Sequence, residues 1–210
     1  MHKKYNGDNL PDLDLNVKGA SSNLLAVVRC RPLLQKDLMN NSHECVSLLS
    51  DSLLLISEPY DTDGHTGSEK TRKLQFEFPR VFSKNTTNQE VYNQTAKPLL
   101  PGLFEGLNAT VFCYGAAQSG KTHTMMGNNE QQGLISYALD DLQAMIEAPE
   151  RMGSVMKVSY IEIHNEVIRD LLVADDKNID IREDPVKGTI VVNISEFTTS
   201  VKKDILKAIK

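Results

Sequence analysis

ATVFCYGAAQSGKTHTMM, residues 109–126, joins an apolar run to a loop of the form G-x-x-x-x-G-K-[ST] and then to helix-compatible residues. The run 109–114 predicts a buried strand. Gly115 and Gly120 allow the tight bends that turn successive N–H groups of Gly115, Ala116, Ala117, Gln118, Ser119 and Gly120 toward phosphate oxygens. The start of the following helix adds positive partial charge. In this motif Lys121 reaches the β- and γ-phosphates, and the Thr122 hydroxyl ligates Mg²⁺. The stretch therefore points to a nucleoside triphosphate carried with Mg²⁺.

The motif alone does not separate the classes that use it. A GTPase needs an Asn-Lys-x-Asp base reader, and none occurs. A small-molecule kinase needs an Arg-rich lid, and residues 128–150 contain no Arg. An acidic residue closing a later apolar strand is also missing in the usual Asp-x-x-Gly form. The run 155–163 leads instead into Glu162, His164 and Glu166.

On the N-terminal side, LLAVVRC (24–30) predicts a buried strand, and CVSLL (45–49) and SLLLI (52–56) two short ones. Residues 60–73 have loop composition. LQFEFPRVF (74–82) alternates Leu74, Phe76 and Phe78 on one face and predicts a half-buried strand ended by Pro79. Thr87-x-x-Glu90 is a capping box opening a helix through Val91, Tyr92 and Thr95, which Pro98 and Pro101 interrupt or end.

On the C-terminal side, apolar residues at 134, 135, 138, 139, 142, 145 and 146 predict a helix over 133–148. VMKVSYIEIHN (155–165) predicts one long strand. IDIRE and TIVVNI predict a strand pair about Asp184-Pro185. Val201, Ile205, Leu206 and Ile209 repeat at helical spacing. Strands alternating with helices predict an α/β layered fold.

Composition narrows the setting. The 210 residues carry 23 Lys+Arg against 28 Asp+Glu, a net charge of -5, with 40% hydrophobic and 24% charged residues. That is globular composition. Mild acidity argues against a nucleic-acid partner, and no apolar run is long enough to span a membrane. Residues 1–22 are polar and aperiodic, which predicts a flexible extension. Cys30, Cys45 and Cys113 have no metal-ligand spacing and are expected to be reduced, mostly buried thiols.

AVVRCRP (26–32), FEFPRVF (76–82), residues 88–127 and VSYIEIHNEVIRDLL (158–172) resemble the kinesin motor domain in order and spacing. The likeness extends from Leu24 to Lys210. IREDPVKG (181–188) looks most like the eighth kinesin family. The resemblance implies a P-loop NTPase fold with a mixed sheet and helices on both faces, ATP and Mg²⁺ as cofactors, and a microtubule as partner. Residues 23–210 are then the N-terminal part of a motor domain, placed in the cytoplasm on the microtubule cytoskeleton. Arg29, Pro32 and His123 match the residues that flank the adenine ring, and Thr122 the Mg²⁺ ligand. Met125 and Met126 read as packing residues, and His164 as a fold residue. Two positions depart from the family pattern. Ala117 replaces a Thr, and Gln118 stands where many members have Gly. If the backbone at Gln118 needs positive φ, the side chain costs roughly 1 kcal/mol.

In the family, switch I (N-x-x-S-S-R-S-H) and switch II (D-x-A-G-S-E) complete hydrolysis, and neither string occurs in these residues. The resemblance therefore assigns no catalytic residue, and this chain alone is expected not to hydrolyse ATP. The strand 109–114 would also lack its family neighbours, so the chain alone is expected to be unstable or aggregation-prone. The loop near 175–195, a tubulin contact in the family, holds Arg182 and Lys187 among five acidic residues and reads as a solvated turn. Two functions follow. One is a microtubule motor of which this chain carries the nucleotide-binding half. The alternative is a degenerate or truncated kinesin that binds nucleotide or partners without ATPase activity.

Overall fold

The computed structural model describes residues 23–60, 70–151, 153–173, 179–186, 188–199 and 201–209. The polar extension 1–22, most of the loop 60–73, and Lys187 lie outside them. The chain divides after Pro98 into two compact units.

In the first unit, β1 (Val27–Arg29) pairs in parallel with β5 (Arg80–Phe82), with Val28 opposite Val81. Val81 and Phe82 are each 2% exposed and centre this unit's core. β1 itself is only half-buried, less than its apolar sequence predicts. β2 (Val46–Leu48), β3 (Leu53–Tyr60) and β4 (Lys70–Glu77) form an antiparallel meander. Lys70–Lys73 therefore belong to a strand, where loop composition predicts a loop. Their partners in β3 supply the hydrogen bonds that composition does not report. Phe76 is exposed, whereas Leu74 and Phe78 are half-buried.

Two helices complete this unit. α1 (Gln35–Met39) has no apolar periodicity long enough to predict it. The Asp37 carboxylate holds its start by accepting from the Leu34 N–H at 2.8 Å and from Arg31 at 2.5 Å. α2 (Asn88–Gln94) opens on the predicted capping box. The Thr87 hydroxyl accepts from the Glu90 N–H, and the Glu90 carboxylate accepts from the Thr87 N–H at 2.7 Å. Val91 and Tyr92 bury its inner face.

The second unit begins with α3 (Leu100–Leu103), followed by α4 (Lys121–Met125) and α5 (Leu134–Ile146). The run 109–114 forms no strand, contrary to its composition. No described strand pairs with it, and Phe112 and Tyr114 are 71% and 94% exposed. An apolar run becomes a strand only when neighbours take up its N–H and C=O groups.

The predicted long strand 155–165 is also divided. β6 (Met156–Val158) pairs with β11 (Phe197–Thr199), and β7 (Ile161–His164) turns back into β8 (Val167–Asp170). Asn165 and Glu166, at φ 48° and 65°, make the two-residue turn. Both central residues are left-handed, which matches the twist of a tight hairpin. β9 (Asp180–Asp184) and β10 (Gly188–Val192) form the predicted pair, closed where the Asp184 carboxylate accepts from the Val186 N–H.

Asp170 pins this unit. It is buried, and its carboxylate accepts from the Leu172 N–H at 2.9 Å and the Ser195 N–H at 2.7 Å. α6 (Lys202–Ala208) docks on α5 through Ile205, 2% exposed. At its start the Lys202 N–H donates to Gln143 Oε1 and its ammonium pairs with Asp140. Of the cysteines, Cys30 and Cys113 are half-buried and Cys45 is exposed; none is buried, so the expectation of mostly buried thiols is not met. Among the described residues no helix is long and apolar enough to cross a membrane.

Candidate functional site

The loop 115–120 turns through three residues of positive φ: Gly115 at 156°, Gln118 at 63° and Gly120 at 100°. Gly120 caps α4, so Lys121 and Thr122 stand in that helix's first turn. The loop closes on itself. The Ser119 N–H donates to the Ala116 carbonyl at 3.2 Å. A Cβ added at Gly115 would sit 2.6 Å from Ser119 Oγ, and the positive φ strains any side chain there, which favours Gly at this bend. Ala116, Ala117 and Gln118 are exposed at the rim.

Lys121 lies across the loop. Its ammonium donates to the carbonyls of Gly115 at 2.8 Å and Ala116 at 2.7 Å. Thr122 is exposed, whereas Thr124 on the same helix is buried. His123 is half-buried, and its carbonyl accepts from the Gly127 N–H at 3.0 Å.

A close backbone crossing holds α4 in place. A Cβ at Gly133 would stand 2.3 Å from the Met125 carbonyl oxygen, and one at Gly127 would stand 2.2 Å from that of Gln131. Asn128 caps the intervening turn, its side-chain oxygen accepting from the Glu130 and Gln131 N–H groups. These residues support the loop, and the sequence motif does not include them. The visible signal was Gly127, which follows the helix at the position where a left-handed residue ends one.

The structure thus brings Gly115, Ala116, Ala117, Gln118, Ser119, Gly120, Lys121 and Thr122 into one loop and helix start. Arg29 and Pro32 belong to the first unit. There the Arg29 guanidinium donates to Asn88 Oδ1 at 2.5 Å and to the Thr86 carbonyl at 2.9 Å, tying β1 to the start of α2. Asn88 is fully buried. Pro32 is exposed, and its carbonyl accepts from Arg31.

The loop's donor set fits a phosphate chain. It has a bend at Gly115 that favours Gly, backbone turned by three positive-φ residues, an ammonium held by two neutral carbonyls, and an exposed hydroxyl beside it. A mixed α/β chain with this loop defines a protein of the P-loop NTPase fold. The kinesin motor domain model matches residues 29–210, and the chain belongs to the kinesin family of microtubule motors.

Its relatives agree. It is 33% identical to kinesin-like protein KIN-8A of Arabidopsis thaliana over 87% of this chain and 25% of that protein. It is 35% identical to kinesin-like protein KIF27 of Mus musculus over 87% of this chain and 13% of that protein. Among solved structures, KIF14 with ADP in complex with a microtubule aligns with a TM-score of 0.70 at 30% identity, covering 86% of this chain and 52% of that one. A fast kinesin aligns with a TM-score of 0.74 at 24% identity, over 88% and 50%, a likeness of fold. The chain thus spans about half the length of these solved chains and a quarter or less of these two relatives.

Proposed function

We propose that this chain binds ATP with Mg²⁺ at the loop 115–122 and serves as the nucleotide-binding part of a microtubule-based motor. The observation that carries this is the three-turn loop with Lys121 and Thr122 immediately after it, at the start of α4. The backbone of Gly115 to Gly120 supplies N–H groups to the phosphates. Lys121 exchanges two loop carbonyls for phosphate oxygens, a stronger charge-assisted pairing. Thr122 holds Mg²⁺, which when bound neutralises phosphate charge. His123, next to Thr122, flanks the purine.

Family membership supports the microtubule as partner, and so does the microtubule-bound relative. Residues 23–210 act as part of one motor domain at the microtubule cytoskeleton of the cytoplasm. No residue of this chain is given a catalytic role, so these residues bind nucleotide and do not turn it over by themselves. The test is phosphate release by the purified chain with and without microtubules, beside binding of a fluorescent ATP analogue. Binding without steady release is expected. Steady release would contradict this reading. Absence of binding would favour a chain that acts through partners alone.

A further inference from the structure

α4 (Lys121–Met125) has five residues, too few to hold its own place. Its first turn carries Lys121 and Thr122, so whatever fixes its far end helps to fix them. Residues 127–133 tie down that end. The Met126 and Gly127 N–H groups donate to the Thr122 and His123 carbonyls at 2.8 and 3.0 Å, so the helix runs directly into the tie. Gly127 bridges Gln132 in antiparallel fashion, and the backbones of Gly127 and Gly133 cross too closely for a Cβ on either residue. Gly133 is buried and is the N-cap residue of α5, a helix of 13 residues. Asn128 closes the turn between the two crossing segments. Its side-chain oxygen accepts from the Glu130 N–H at 3.0 Å and the Gln131 N–H at 2.8 Å. Its own N–H donates to the Gln131 carbonyl at 2.8 Å.

We infer that Asn128, outside the phosphate-loop motif, is a positioning residue for the nucleotide, acting through the crossing that clamps α4 to α5; the inference rests on the nucleotide reading of the loop 115–122. Three hydrogen bonds of the turn 128–131 belong to this one residue, and they set Gln132 opposite Gly127. Asn128, Asn129 and Glu130 are exposed. Water therefore replaces the bonds that an Ala at 128 would lose, and the fold survives. The turn is then no longer held in one shape, and the end of α4 is free to shift. A phosphate site needs its ammonium and hydroxyl in fixed places, so the loss falls on binding more than on stability. Coupling of this kind is reciprocal. Nucleotide that fixes Lys121 and Thr122 also steadies the clamp beyond them.

The test is titration of the full chain with ATP and Mg²⁺, beside Asn128→Ala, Asn128→Asp, Lys121→Ala and Asp184→Ala, each first shown to be folded by circular dichroism. Asn128→Ala should bind about fivefold more weakly or worse. Asn128→Asp keeps an oxygen acceptor and should stay within about twofold of the unaltered chain. Asp184→Ala removes a turn bond of the same kind from the β9–β10 hairpin and should leave binding unchanged. Hydrogen exchange of the Gly127 and Asn128 amides should slow when ATP is added, which a turn serving stability alone would not show. Asn128→Ala binding as tightly as the unaltered chain, with Lys121→Ala weakened, would overturn the inference and leave the nucleotide reading standing. Equal weakening by Asp184→Ala would also overturn it, as general loosening. No binding by the unaltered chain would overturn both.

Discussion

The Lys121 ammonium donates to the Gly115 carbonyl oxygen at 2.8 Å, so the cation at the head of α4 rests on the first residue of the loop that precedes it. Both partners are local, and the side chain is half-buried. Lys121→Ala removes this bond and its companion to Ala116, at a net cost of about 1 kcal/mol. The urea midpoint should fall only slightly, and the circular dichroism spectrum should not change. A collapse of the fold would show that Lys121 is structural first.

Gln118 sits at φ 63°, where a side chain is unfavourable by about 1–2 kcal/mol. Gly avoids that strain but gains freedom in the unfolded chain, so Gln118→Gly should shift stability by less than about 1 kcal/mol. Gln118→Val, β-branched at the same φ, should cost about 2 kcal/mol. Thermal unfolding of the two variants side by side measures this. Equal stability of Val and Gly would mean that the loop is not held left-handed at this residue.

Asp170 accepts two backbone N–H groups, one from Leu172 and one from Ser195, 25 residues further along the chain. Asp170→Ala strands both donors in a buried place, at about 3 kcal/mol. Asp170→Asn keeps one oxygen acceptor and should lose about half as much. Urea unfolding of both variants reads the difference directly.

The α2 capping box gives a pH signature. The Thr87 N–H, first, and the Thr87 hydroxyl, second, hold the Glu90 carboxyl below its usual range. A folded value lower than the unfolded one means that its contribution is complete above the ordinary carboxylate range, about 4.3. It is lost as pH falls through the lowered folded value. Glu90→Gln should remove that part of the acid dependence. Thr87→Ala should cost about 1 kcal/mol at neutral pH. Stability measured from pH 7 down to acid tests both.

Local chemistry was legible and tertiary pairing was not. Thr87-x-x-Glu90, the turn at Asp184-Pro185, the period of α5 and the glycines of the loop each act within a few residues, and each is found where its pattern predicts. The run 109–114 reads as a strand because its residues are apolar and β-branched or aromatic, but a ladder needs partners that the run does not contain. The hairpin between β7 and β8 turns on Asn165-Glu166, which lacks the usual Asn-Gly signal of a tight hairpin. Arg29 shows the same limit. Its pattern points to a ligand, and its hydrogen bonds to Asn88 and Thr86, 59 and 57 residues away, give it a structural task that no local pattern reports.

Calorimetric titration of the chain with ATP and Mg²⁺, beside Lys121→Ala and Thr122→Ala, addresses the loop itself. Saturable binding is expected, weakened about 30-fold by Lys121→Ala, the equivalent of one charge-assisted contact of about 2 kcal/mol. Thr122→Ala should weaken binding in Mg²⁺ and leave it unchanged in EDTA. Binding of equal strength in the chain and in Lys121→Ala would place the nucleotide somewhere other than the loop 115–122.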